Sequence, residues 1–261
     1  MIKGMYKATQ GMMYESLRID IIANNLANVD STGYKKSRLQ VTSSFDTYFN
    51  DFLRSYLETK PSTSPYESPE LMIARYETDF SQGAIKETGG EFDFAIIDKV
   101  SDKQGFFGLQ KDGDTVYSRD GAFKISGDGS LVNQQNLGVL DENGQPITLP
   151  ADAKRLEILP TGQIYADGVE LSSLMIVHFQ QPYPLSKLGA GLFEINDPNA
   201  EPIPVNRRTT EVMQGFLESA NVNPVNEMVE MIETLRNFEG YQRTIRAFND
   251  TVQQINDAAR T

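Results

Sequence analysis

The chain has 261 residues, with 24 Lys and Arg against 36 Asp and Glu, one histidine, no cysteine and no tryptophan. Its length allows one large or two modest domains with a real core, and 39% apolar content is too high for wholesale disorder. A net charge of −12 argues against nucleic acid or an anionic membrane as the main partner, and a chain with no cysteine and one histidine excludes disulfide scaffolds, thiolate zinc sites, cysteine nucleophiles and multi-histidine metal centres.

The charge is unevenly spread. Residues 1–40 carry a net +3, residues 41–204 a net −13 and residues 205–261 a net −2. An acidic middle reads as a solvated body, and ends of opposite sign as segments able to lie on each other or on copies of themselves. No run reaches the ~18–20 apolar residues of a membrane span, so no membrane insertion is expected. The N-terminus also lacks the apolar run and small-residue cleavage site of a secretory signal, which predicts an uncleaved chain.

From Met5, apolar residues recur at steps of three and four: Met5, Ala8, Met12, Ile19, Ile22, Leu26 and Val29, with Glu15 the one interruption. This is the seam pattern of a coiled coil. Asp30-Ser31-Thr32-Gly33 ends it, Gly33 being free to take the positive φ that other residues avoid. Residues 57–70 hold three prolines and read as part of an extended connector.

From about Leu71 the period changes to short strands between turn dipeptides. Asp112-Gly113, Asp120-Gly121, Asp128-Gly129, Asn143-Gly144 and Asp167-Gly168 are hairpin signals. Runs such as Thr115–Ser118, Ala122–Ile125 and Leu174–Phe179 have strand composition. An antiparallel β domain is expected here. At Asn223-Pro224 a second helix begins with an N-cap and a proline whose missing N–H costs nothing. Its stripe runs Met228, Ile232, Leu235, Phe238, Tyr241, Ile245, Phe248, Val252 and Ile255, slipping phase near Gly240, where Leu235 and Tyr241 stand six residues apart.

The fold class is therefore α+β: N- and C-terminal helices pairing as a coiled coil, with a central antiparallel all-β domain. The expected division is residues 1–36 and 216–261 as a terminal helical assembly domain, 37–70 as connector and 71–215 as the β domain. The alternative for the stripes is packing on the protein's own middle. Residues 71–215 alone are expected to give a soluble β-rich monomer.

Catalysis finds little support. His178 sits within a strand with no Ser-His-Asp context. Asp112, Asp114 and Asp128 lack the spacing and closing Glu of a calcium loop. Glu91 and Asp93 are a carboxylate pair of the kind glycoside hydrolysis uses, but alternation with Phe92 and Phe94 also describes a half-solvated strand. The sequon Asn249-Asp250-Thr251 lies mid-helix. No metal, cofactor or catalytic residue is assigned.

Three motifs carry a resemblance. Asn24-Asn25-Leu26-Ala27-Asn28-Val29-Asp30-Ser31-Thr32-Gly33-Tyr34-Lys35-Lys36 resembles the N-terminal signature of the bacterial flagellar rod and hook proteins. Gln214-Gly215-Phe216-Leu217-Glu218-Ser219-Ala220-Asn221-Val222-Asn223-Pro224-Val225-Asn226-Glu227-Met228 resembles the matching C-terminal signature, and Ser118-Arg119-Asp120-Gly121-Ala122-Phe123, followed by Gly129-Ser130-Leu131-Val132, is similar to the β core of rod members. The likeness spans nearly the whole chain.

The resemblance implies a self-assembling structural subunit of the basal-body rod. Its terminal helices would pair and stack helically to transmit torque from motor to hook. Implied partners are copies of itself, adjacent rod proteins and the flagellar type III export apparatus, which would carry the chain to a periplasmic rod without a cleaved signal. Of the rod types it favours the proximal one, since residues 41–80 lack a glycine-rich stretch associated with the distal member. A non-polymerising export cap or adaptor and a cell-wall-acting enzyme are the rival readings. Assembly residues by this reading are Met5, Met12, Ile19, Ile22, Asn24, Asn25, Leu26, Asn28, Gly33 and Tyr34 at one end. At the other they are Glu218, Asn221, Asn223, Met228, Ile232, Leu235, Phe238, Tyr241, Ile245, Phe248, Val252 and Ile255. The amides of Asn24, Asn25 and Asn28 both donate and accept, and are expected to bond across helices or to the following turn, fixing register.

Overall fold

The computed structural model describes residues 2–43, 72–100, 103–150, 156–205 and 209–258. Helix α1 spans Ile2–Ala27 and helix α2 spans Pro224–Ala258. Between them lie short strands, every pairing among them antiparallel. The α+β class follows from this order.

Two compact units emerge. One contains residues 1–26, 37–79 and 224–261; the other contains 27–36 and 80–223. In the first unit, Ser37–Ser43, at the start of the expected connector, is a strand paired in full register with Met72–Thr78. Residues 44–71, including the proline-rich stretch, lie outside the described residues.

The described residues of the second unit are strand, turn and irregular chain. A 9-stranded sheet runs from Leu185–Gly189 through Leu192–Ile195, Asp114–Ser118 and Gly105–Lys111 to Lys124–Ile125, with Ile176–His178 pairing beside Gly105–Phe107. Its main core packs Phe94, Ile96, Phe107, Leu109, Ile164 and Val212 among others, and a second aromatic cluster gathers Phe80, Phe106, Phe179 and Phe193. Phe94, Ala95 and Ile96 are all buried, so the strand Phe94–Asp98 is covered on both faces and is not the half-solvated strand expected, while exposed Glu91 lies in the turn before it. Strand Thr210–Gln214 pairs with Phe94–Asp98, and strand Phe216–Glu218 pairs with Ile85–Glu87. The β unit thus extends past residue 215, because its last two ladders are built from the segment just before α2.

The hairpin signals divide on one dihedral. At Asp112-Gly113 and Asp167-Gly168 both residues have positive φ, as type I′ turns require, whereas at Asp128-Gly129 and Asn143-Gly144 only the glycine does. Asp120-Gly121 is no hairpin at all. A Cβ on Gly121 would lie 1.8 Å from the Phe94 carbonyl oxygen, so this glycine permits close backbone approach.

Candidate functional site

Within the first unit, α1 and α2 touch through side chains whose numbers rise on one helix and fall on the other, so the helices run antiparallel. Arg18 Nε donates to Glu230 Oε1 at 3.1 Å, Asn25 Nδ2 to Glu227 Oε2 at 3.2 Å and Asn237 Nδ2 to Glu15 Oε1 at 3.3 Å. A Cβ on Gly11 would fall 2.5 Å from the Tyr241 ring, so the ring occupies that space. Asn25 also accepts from Ser37 N–H at 2.9 Å and donates to Ser37 O at 3.0 Å, bonding both across the helices and to the chain after the turn. Asn28 accepts from Ser31 within that turn, and Asn24 lies on an exposed face.

The C-terminal stripe resolves into two faces. Glu227, Met231, Thr234, Phe238, Tyr241, Ile245 and Phe248 follow strict steps of four and three and are all buried or half-buried. Val225, Met228, Val229, Ile232 and Leu235 lie beside them and are 43–62% exposed. Val252 and Ile255 are exposed as well. The six-residue step near Gly240 is where the apolar residues change face, and it was readable in the sequence. On α1, Ile22 is buried, Met12, Ile19 and Leu26 are half-buried and Met5 is exposed. Glu15, the apparent interruption, is buried.

The second unit holds a different construction. Lys35 and Arg119 both meet the carboxylate of Glu218, at 2.7 Å from Lys35 Nζ and 2.5 Å from Arg119 Nε. Asp98 faces Arg119 at 2.8 Å, and all four side chains are 0–1% exposed. Two cations and two anions therefore balance in a site closed to water. Remaining donors are also used: Lys35 donates to Ser81 O, Arg119 to the carbonyls of Ile96 and Gly105, and Gly83 N–H to Glu218 Oε1. Burial pushes the Glu218 carboxyl up, but Arg119 and Lys35 outweigh it and hold it below its ordinary value. For Lys35 burial wins over Glu218, lowering the ammonium to about 8.

The neighbouring backbone is tied to the same place. Gly33 N–H donates to Glu218 O at 2.7 Å, Asn221 accepts from Lys36 N–H at 2.7 Å, and Thr32 donates to Asp120 at 2.6 Å. Tyr34 packs with Ala220, Val222 and Val29. The chain leaving α1 and the chain approaching α2 are thus both fastened to the β unit, with Asn223 exposed just before Pro224. Gly33 has φ +64°, and a Cβ there would sit 2.3 Å from Asp120 N. Replacing it with alanine, Gly33→Ala, is expected to cost at least about 1–3 kcal/mol of backbone strain and to lower the thermal midpoint by several degrees, as circular dichroism would record.

The residues considered for catalysis stay apart. His178 is buried, its pKa lowered by burial and by Lys103, while Asp93 accepts from Thr88. Among the described residues, no group of three or more His, Cys, Asp or Glu is placed to hold a metal, and no helix is long and apolar enough to cross a membrane.

Comparison with known proteins fits this geometry. Residues 5–35 match the family described as flagella basal body rod protein, residues 102–166 the flagellar hook protein FlgE/F/G D1 domain, and residues 213–258 the flagellar basal body rod FlgEFG protein C-terminal region. The flagellar basal-body rod protein FlgG of Agrobacterium fabrum is 30% identical over 260 residues, covering 91% of this chain and 92% of the relative. This chain belongs to the flagellar basal-body rod protein family. FlgF of Caulobacter vibrioides is likewise 30% identical over 239 residues, with 92% and 90% covered, and FlgG of Bacillus subtilis 27% over 268 residues, with 98% of each. Relatives of both names match at the same level. As a rod-family member the chain is a structural subunit of the basal body and not an enzyme. Each matched segment of this rod-family chain supplies one partner to the buried cluster: Lys35 from the first, Arg119 from the second and Glu218 from the third. Of the three, only Glu218 was among the residues singled out from sequence; Lys35 and Arg119 were missed, because lone charges read as surface, and their place inside the quoted motifs was the signal that could have found them.

Proposed function

We propose that the subunit builds the rod by stacking helically with copies of itself and with adjacent rod and hook proteins, its paired terminal helices forming the coiled-coil contacts and its β unit facing outward. The chain would reach a periplasmic rod through the flagellar export apparatus and there transmit torque. The observation that carries this reading is the exposed stripe Val225, Met228, Val229, Ile232 and Leu235 on α2. Burying what remains accessible on such side chains contributes on the order of 1 kcal/mol each, enough together to drive association. An open stack needs contacts that do not close into a ring, and a stripe on one helix can meet a different surface of the next copy.

Ile232→Asp combined with Leu235→Asp tests it. The monomer's circular dichroism should be unchanged, because both positions are exposed within one chain. Polymer should vanish from sedimentation at concentrations about 100-fold above the wild-type threshold, since ~1.4 kcal/mol is tenfold and two buried charges cost more than twice that. Assembly at the wild-type threshold would refute the role of this face.

A further inference from the structure

The helix seam inside one chain is more polar than the face left outside it. On α1 it runs Ala8, Gly11, Glu15, Arg18, Ile22 and Asn25, and on α2 its first half includes Glu227, Glu230 and Thr234. Apolar residues were at hand one position over, at Met228, Ile232 and Leu235, yet they point elsewhere. Glu15 makes the point most sharply. It is buried, Oε1 accepts only a long 3.3 Å bond from Asn237, and Oε2 has no hydrogen-bond partner among the described residues. Buried polar groups of this kind cost stability against apolar ones of similar size. What they add is discrimination, because a shifted pairing strands them.

We propose that the polar seam residues Glu15, Arg18 and Asn25, facing Asn237, Glu230 and Glu227, set the register of α1 on α2 of the same chain and so reserve the Met228/Ile232/Leu235 face for neighbouring copies. The second half of this statement rests on the self-assembly reading above; the first does not. Slipping α1 by one heptad in one direction sets Glu15 against Glu230, two carboxylates in contact. Slipping it the other way brings Arg18 to Asn237 and Asn25 to Thr234, leaving Glu227 and Glu230 without their donors. The observed register alone pairs Arg18 with Glu230 and Asn25 with Glu227. Gly11 under the Tyr241 ring adds a fit by size. With an apolar seam, neither helix face would differ enough from the other to tell its own partner from a neighbour's.

The full chain carries no cysteine, so introduced pairs report register cleanly. Gly11→Cys with Tyr241→Cys removes the size fit and leaves the polar residues to hold register. Oxidised in dilute solution, this variant should give one dominant disulfide within the chain. Adding Glu15→Leu and Asn237→Leu should cut that yield at least threefold and bring cross-links between chains, with helix content and thermal midpoint equal or higher. Glu15→Gln in the same background should keep the single product. Unchanged cross-linking in the leucine variant would overturn the proposal. So would loss of its helix content, since the polar residues would then serve stability. A wild-type chain that never polymerises removes the self-assembly reading while leaving the register result to stand or fall by itself.

Discussion

Glu218→Ala is expected to destabilise the β unit by on the order of 3–5 kcal/mol, the largest effect of any single substitution considered. The carboxylate is shared by Lys35 and Arg119, both fully buried, and its removal leaves two cations facing Asp98 alone. Gly83 N–H loses its acceptor at the same time. Against a typical total of about 5–15 kcal/mol for a domain, such a loss approaches unfolding. Urea titration followed by tyrosine circular dichroism measures it, the chain having no tryptophan. A loss below about 1 kcal/mol, the value of an exposed pair, would contradict the buried geometry.

The same cluster fixes a pH dependence. Because the folded Glu218 carboxyl lies below its ordinary 4.5, its contribution is complete above that pH and is lost as the pH falls. Lys35 acts in the opposite sense. Its folded value of about 8 lies below the ordinary 10.5, so between these the folded chain holds fewer protons than the unfolded one, and stability from this group rises with pH. Glu218→Ala should flatten the acid limb of a stability–pH curve measured by urea midpoints.

The second large effect concerns where the β unit is cut. A fragment of residues 71–215 is expected to lack a cooperative unfolding transition, whereas residues 27–223 should retain one. The shorter piece loses Lys35, Glu218, the strand Phe216–Glu218 that pairs with Ile85–Glu87, and Tyr34 with its partners Ala220 and Val222. Arg119 would remain in the core with one counter-ion in place of two. The cost of that single change, on the order of 3–5 kcal/mol, is a large share of a domain's typical total of about 5–15 kcal/mol, and the lost strand and apolar contacts add to it. Read from composition, strand patterning alone suggested that 71–215 would suffice. A sharp urea transition in the 71–215 fragment would show the cluster to be dispensable.

Local chemistry was legible without coordinates. Periodicity of three and four announced both terminal helices, Asn223-Pro224 marked the start of α2, and Gly33 marked the left-handed turn after α1, found at φ +64°. These are interactions between residues a turn apart, so the nearby sequence suffices to fix them. Turn dipeptides likewise located the β region, although Asp120-Gly121 took its conformation from the Phe94 carbonyl pressed against it.

Other features depended on partners far along the chain. Apolar periodicity says that a helix has a sticky face, not which neighbour covers it. On α2 the face toward α1 carries Glu227 and Thr234, while Met228, Ile232 and Leu235 stay exposed. Likewise Lys35 and Glu218 are 183 residues apart, and Arg119 and Glu218 are 99 apart. A charged residue is written into a sequence as if for water, and its burial becomes tolerable only when folding brings an opposite charge and the remaining hydrogen-bond partners to it. Helices and most turns were thus settled by near neighbours, and strand pairing, the choice of helix face and the assembly of the buried ions by tertiary packing, where desolvation makes each charge depend on all the others.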